Sequence, residues 1–280
     1  MTDTFFDGIT QHPIDFHGIE AKIPVFYRSA RMFSLVFPAR LSVIKKMLPD
    51  RRFKPALLAP GVGAVHLSAF EYHDCDIEPY NEFALGALLT SPDFAAIPGY
   101  NATRQLMTNL FHTYILRLPV TTEIARRAGV DLYNYPKFVS AIDFSDDAQN
   151  IACEVAEEGE LICRLQTRKI AAPKSAVAKY FCHLYQDGQP QSTEFKVNAQ
   201  SLGLAFGPGR AKLEVGKNHP MAKEIDALLL SKTPLFTIYM PEMQAVLYGP
   251  DRLTITMAAR FLEHQQNNPA RSDALRRVAP

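Results

Sequence analysis

Apolar and polar residues alternate along much of this chain in short runs that are repeatedly cut by proline and glycine. Residues 31–38 read as a strand. From about Leu41 the period becomes helical, with Leu41, Ile44 and Leu48 on one face and Lys45 and Lys46 on the other, until Pro49 stops it. In 64–72, Val65, Leu67 and Ala69 alternate with His66, Ser68 and Phe70, which predicts a strand. Further strands are expected at 83–89 and 112–120, and then a helical turn with Glu123, Arg126 and Arg127, terminated by Gly129. The runs 151–155 and 161–166 flank Glu157-Glu158-Gly159-Glu160, a hairpin. A helix is expected from about Asn218, with Pro220 in its first turn, Met221, Ile225, Leu228 and Leu229 on one face, and Pro234 closing it. Two last strands are expected at 235–240 and around 246–248.

Residues 1–25, broken by Gly8, Pro13, Gly18 and Pro24, are expected to be irregular, and the polar tail 264–280 to be loosely held or helical. No repeat, composition shift or linker divides the chain, so residues 1–280 are expected to form a single domain. Twenty prolines and fourteen glycines favour short strands over long helices, and the fold class expected is α+β, mainly antiparallel β with flanking helices.

Composition narrows the function. A formal net charge of +1 leaves no excess of Lys and Arg to neutralise phosphates, so a nucleic-acid partner is not expected. No apolar run approaches the ~20 residues of a membrane span, and no basic, apolar leader is visible, so no membrane partner is expected. Four cysteines make no disulfide framework, and a cytoplasmic location with reduced thiols is expected, Cys153 and Cys163 lying near each other across the hairpin.

The stretch Tyr133-Asn134-Tyr135-Pro136-Lys137-Phe138 carries the candidate chemistry. Pro136 fixes its own φ and pushes Tyr135 toward extended geometry, so the backbone approaching Lys137 is stiff. A lysine held among aromatic side chains is readily desolvated, desolvation favours the neutral amine, and a neutral amine can attack a ketone to form a Schiff base. Other constellations carry less. His73-Asp74-Cys75-Asp76-Ile77-Glu78 matches no zinc or calcium spacing, so no metal is expected there. Gly207-Pro208-Gly209-Arg210 lacks the Lys-Ser/Thr of a phosphate loop and reads as a turn.

Four segments together resemble the acetoacetate decarboxylase family: Phe33-Ser34-Leu35-Val36-Phe37 leading to Ile44-Lys45-Lys46-Met47-Leu48-Pro49; Tyr80-Asn81-Glu82; Gly129-Val130-Asp131-Leu132-Tyr133-Asn134-Tyr135-Pro136-Lys137; and Gly207-Pro208-Gly209-Arg210-Ala211-Lys212-Leu213 with the helix after it. The resemblance implies a mainly antiparallel β-barrel or cone with helices outside, a homo-oligomer, and a small keto acid or ketone as substrate. It implies Lys137 as the Schiff-base lysine and Glu82 as the group that handles protons or orients the substrate, with Tyr135 and Phe138 beside the substrate. The iminium is then the electron sink, so no cofactor is required.

Departures qualify the reaction. The family's second lysine, directly after the nucleophile, is here Phe138, which leaves burial alone to favour the neutral amine. The family's substrate arginine falls on Ala30, and strand alternation makes Arg28 the substitute on the same face. A second family glutamate falls on Leu67. Three readings follow: a β-keto acid decarboxylase, a Schiff-base aldolase or dehydratase, and a non-catalytic small-molecule-binding barrel.

Overall fold

The protein is described here by a computed structural model covering residues 4–250 other than 17 and 18. In chain order it forms β1 (His12–Phe16), β2 (Ile19–Ile23), β3 (Val25–Arg40), α1 (Leu41–Met47), β4 (Leu57–Ala59), β5 (Val62–Cys75), β6 (Tyr80–Leu88), α2 (Tyr100–Thr108), β7 (Leu110–Arg117), α3 (Glu123–Tyr133), β8 (Ala141–Asp146), β9 (Asn150–Glu157), β10 (Glu160–Arg168), β11 (Lys174–Gln186), β12 (Gln189–Phe206), β13 (Ala211–Val215), α4 (Pro220–Leu228) and β14 (Phe236–Leu247). The expected tail 264–280 lies outside the described residues.

Strands β3, β14, β12, β11, β7, β6 and β5 pair in that order, and the β3–β5 pairing closes them into a seven-stranded barrel. Closure leaves the barrel without a free edge. Every barrel pairing is antiparallel except β7–β11, which is parallel. The long connection between those two strands holds α3 and β8 to β10. With β13, these three strands make a second sheet, in the order β13-β10-β9-β8, outside the barrel.

Both faces of the barrel strands nearest this sheet are buried, which is why β3 reads as a nearly continuous apolar run. Phe33, Leu35 and Phe37 of β3 and Val65, Leu67 and Ala69 of β5 face outward into one core with Ile151, Cys153, Cys163 and Leu165 of the second sheet and Met221, Ile225 and Leu228 of α4. Cys153 and Cys163 are therefore small core residues, each free of a disulfide. Burial pushes the Cys153 and Cys163 thiols well above the usual range. Side chains of the opposite parity, Ser34, Val36, His66, Ser68 and Phe70, turn into the barrel lumen.

Several expectations are corrected. Within 1–25, β1 and β2 pair as a hairpin from His12↔Ile23 to Phe16↔Ile19, so the alternation of Ile19, Ala21 and Ile23 outweighs the flanking prolines. The expected short strands hold for β1, β2, β4, β8 and β13, but β3, β5, β11, β12 and β14 of the barrel are long, β12 reaching 18 residues. Seven described glycines adopt positive φ and sit in turns or at element ends, so their number marks connections without shortening strands. The two strands expected at 235–240 and 246–248 are one strand, β14, whose register shifts around Pro241. A proline inside a strand belongs at such a bulge. The Gly207–Arg210 stretch is the expected turn, joining β12 to β13. No helix among the described residues is long and apolar enough to cross a membrane.

Candidate active site

Helix α3 delivers the chain to Lys137. Thr122 caps its start, the hydroxyl accepting from the Ala125 N–H at 3.3 Å. Its end is not Gly129, which lies buried inside the helix, but Asn134, which adopts the left-handed conformation at φ 55°. The Asn134 side chain donates to the Tyr185 carbonyl at 2.8 Å and ties the turn to β11.

Beyond Pro136 the chain is extended but irregular. It is held by residues 118–120, with Leu118 N donating to Pro136 O (3.2 Å), Val120 N to Phe138 O (2.9 Å) and Ser140 N to Val120 O (2.9 Å). Val120 also bridges Glu82 on its other side. One residue thus sets the spacing between two segments that are 55 positions apart in sequence. The result is a contact of 2.7 Å between Lys137 Nζ and Glu82 Oε2, with the two side chains 7% and 11% exposed.

Aromatic groups surround this pair. The Tyr72 hydroxyl donates to the other Glu82 oxygen at 3.3 Å, and Lys137 Nζ lies 5.5 Å from the centroid of the Tyr80 ring. Tyr27 and Tyr80 share a hydrogen bond of 3.2 Å. Burial, reinforced by the Glu82 charge, holds the Tyr27, Tyr72 and Tyr80 hydroxyls well above the usual phenol range, so they remain protonated donors. Burial does the same to Tyr135, which lines the lumen and stacks on Tyr133 at 5.6 Å.

A glycine that sequence reasoning read as a helix stop has a different task. A Cβ at Gly129 would overlap Cδ and Cε of Lys137, so the absence of a side chain on α3 makes the slot for the lysine stem. Alanine favours a helix interior over glycine by roughly 1 kcal/mol, so Gly129→Ala is expected to fold. It is expected to displace Lys137 and slow its reductive labelling by a ketone and borohydride at least ~10-fold, since a misplaced reacting group loses on the order of 10²-fold. An unchanged labelling rate would show that the slot is not needed.

The other sequence candidates are placed less centrally. Arg28 was expected on the inner face with Ala30, but the register of β3 against β5 shifts on both sides of Ser29. The shift reverses the parity, so Tyr27 points into the lumen together with Met32, Ser34 and Val36, and Arg28 is not among the lining residues. Its guanidinium pairs with Asp76 at 2.5 Å. Asp76, from the acidic stretch after β5, also accepts from Gln11 and from the Phe26 N–H (2.8 Å). Phe138, next to Lys137 in an extended segment, turns the opposite way, packs on the core outside the barrel and stacks against His219 at 6.4 Å. Leu67 likewise faces that core, so its position removes no polar group from the lumen.

Sequence reasoning also missed a polar chain in the lumen wall. Thr113 donates to the Ala87 carbonyl (3.2 Å) and sits 2.9 Å from His66 Nε2. His66 Nδ1 is 2.8 Å from Ser68 Oγ, which is 2.7 Å from Ser34 Oγ. Gly86 makes room for it, because a Cβ there would overlap the His66 ring. Burial lowers the His66 pKa to about 4, so the ring is neutral at pH 7. The even spacing of His66 and Ser68 on a strand was the available signal, but nothing in the sequence said which face was inward.

No protein-family model matches this sequence. No curated protein sequence matches it either. Among solved structures, the chain is similar to acetoacetate decarboxylase from Legionella pneumophila, with 11% identity, a TM-score of 0.56, and coverage of 81% of this chain and 86% of that one. A second acetoacetate decarboxylase structure gives 14% identity, a TM-score of 0.57, and coverage of 81% and 88%. The enduracididine biosynthesis enzyme MppR, complexed with the condensation product of pyruvate and imidazole 4-carboxaldehyde, gives 10% identity, a TM-score of 0.56, and coverage of 86% and 97%. At these identities the likeness establishes the fold, an acetoacetate decarboxylase-like α+β barrel.

Proposed function

We propose that this protein is a Schiff-base enzyme acting on a ketone or keto acid, with Lys137 as nucleophile and Glu82 as proton carrier. The observation that carries the reading is the 2.7 Å Lys137–Glu82 contact, buried at one end of a closed, apolar barrel lumen. Such placement of an amine and a carboxylate within hydrogen-bond reach is what nucleophile activation requires.

The steps balance without a cofactor. Glu82 takes a proton from Lys137, and the neutral amine adds to the substrate carbonyl. Glu82 returns the proton to the carbinolamine hydroxyl, which leaves as water, and a protonated iminium remains. In a β-keto acid the bond to the carboxylate then breaks, its electrons flow to the iminium nitrogen, and carbon dioxide departs to leave an enamine. Protonation at carbon and hydrolysis release the ketone and restore Lys137. An aldolase- or dehydratase-type reaction uses the same iminium but breaks or forms a different bond.

One feature favours that second outcome. Among the described residues lining the lumen, Glu82 and Lys137 are the charged groups, so no arginine is there to clamp a substrate carboxylate. A second cleft, of about 40 Å³, shares Lys137 with the lumen and is lined also by Tyr133, whose buried hydroxyl has no hydrogen-bond partner among the described residues. That hydroxyl is an unused donor beside the site, and Lys22 lines the same cleft.

The test is borohydride trapping with a panel of ketones, α-keto acids and β-keto acids, read by peptide mass spectrometry. A reduced adduct on the peptide carrying Lys137 is expected, and carbon dioxide release from the same substrates then separates decarboxylation from aldol-type chemistry. If no member of the panel labels Lys137 above the surface lysines, the enzyme reading gives way to a binding barrel.

A further inference from the structure

The lumen continues well past the amine. All seven barrel strands contribute to its lining, which is mostly apolar and includes Met32, Phe70, Ile115, Val197 and Ile238. It reaches Leu88 on β6, six residues beyond Glu82, or roughly 20 Å along the strand. At that far end Leu106 of α2 and Leu235 line the lumen yet are 36% and 39% exposed, so the lumen meets solvent between α2 and the start of β14. A substrate as small as a four-carbon keto acid would fill only the end nearest Lys137.

The polar chain in the wall along this path does not ask for a polar ligand. Thr113 donates to Ala87 O, so His66 Nε2–H donates to Thr113, Nδ1 accepts from Ser68, and Ser68 accepts from Ser34. Each hydrogen of the chain is already used within the wall. What remains is a cavity of about 150 Å³. Apolar cavities of about that volume stay dry and take up a six-carbon hydrocarbon.

Resting on the Schiff-base reading, we infer that the substrate is a medium-chain keto compound, its carbonyl at Lys137 and an unbranched apolar tail of about six to eight carbons lying in the lumen toward the α2 mouth. The tail fills the dry lumen and leaves the carbonyl beside Lys137 and Glu82. The lumen length then acts as the specificity device.

Two series test this on the full chain. In the first, 1-alkanols from four to twelve carbons, which form no Schiff base, are titrated calorimetrically. Affinity is expected to rise about three- to four-fold per methylene, the value of a fully buried CH₂, and to level off near eight carbons. In the second, methyl ketones of the same lengths are trapped on Lys137 with borohydride, and the labelling rate should rise in step. Leu106→Trp, at a half-exposed helix position where added bulk is tolerated, narrows the mouth and should reduce the ten- to four-carbon labelling ratio at least ~10-fold. An alkanol affinity that stays flat beyond four carbons would overturn the inference, and so would a wild-type labelling ratio that Leu106→Trp leaves unchanged. Rising alkanol affinity without any Lys137 adduct would instead sink only the Schiff-base reading.

Discussion

Lys137→Arg is expected to fold normally and to lose at least ~10³-fold in turnover, together with every borohydride adduct at this position. Arginine keeps a cation against Glu82, so the ion pair that buries both groups persists, but a guanidinium stays protonated and cannot add to a carbonyl. Removal of a covalent nucleophile costs several orders of magnitude in characterised enzymes, which sets the scale. Lys137→Ala should be equally inactive but is the poorer control, because among the described residues it leaves the Glu82 carboxylate buried with the Tyr72 hydroxyl as its side-chain partner. The comparison is made by far-ultraviolet circular dichroism, thermal melting and turnover on the trapped substrate. Turnover by the arginine variant near the wild-type level would end the nucleophile assignment.

Glu82→Leu carries the largest expected loss of stability. It strands the Lys137 ammonium, 7% exposed, without its carboxylate. Breaking a buried pair from one side costs about 3–5 kcal/mol, whereas replacing both partners with apolar groups is often neutral. The single variant should therefore melt on the order of 10 °C lower. The double variant Glu82→Leu, Lys137→Met should regain most of that difference. Equal melting temperatures for the single and double variants would show that the two groups are not energetically coupled.

Much of the site was legible as residues. Tyr-Pro-Lys singled out Lys137, because a lysine behind a stiffening proline leaves a mark in sequence, and Glu82 was indicated by what the resemblance to the acetoacetate decarboxylase family implies for Tyr80-Asn81-Glu82. Their encounter was not legible. It depends on Val120, an ordinary apolar residue whose backbone bridges both segments. Arg28 shows the limit from the other side: alternation put it on the inner face, and a register shift at Ser29 turned it out toward Asp76. A bulge depends on how two strands meet, so a one-strand pattern cannot report it. Gly129 looked like a helix stop because glycine commonly is one, and only the packing of α3 on Lys137 shows that the missing side chain is the point.

By itself, the sequence determined the class of the fold and most of its elements and pointed to Lys137, since period, turn residues and motif spacing are local properties. Tertiary structure decided which faces turn inward, which seven strands close, and that the enclosed space extends well beyond Lys137. Those depend on register between strands distant in the chain, and with both faces of a barrel strand buried, the hydrophobic pattern no longer says which side is the lumen.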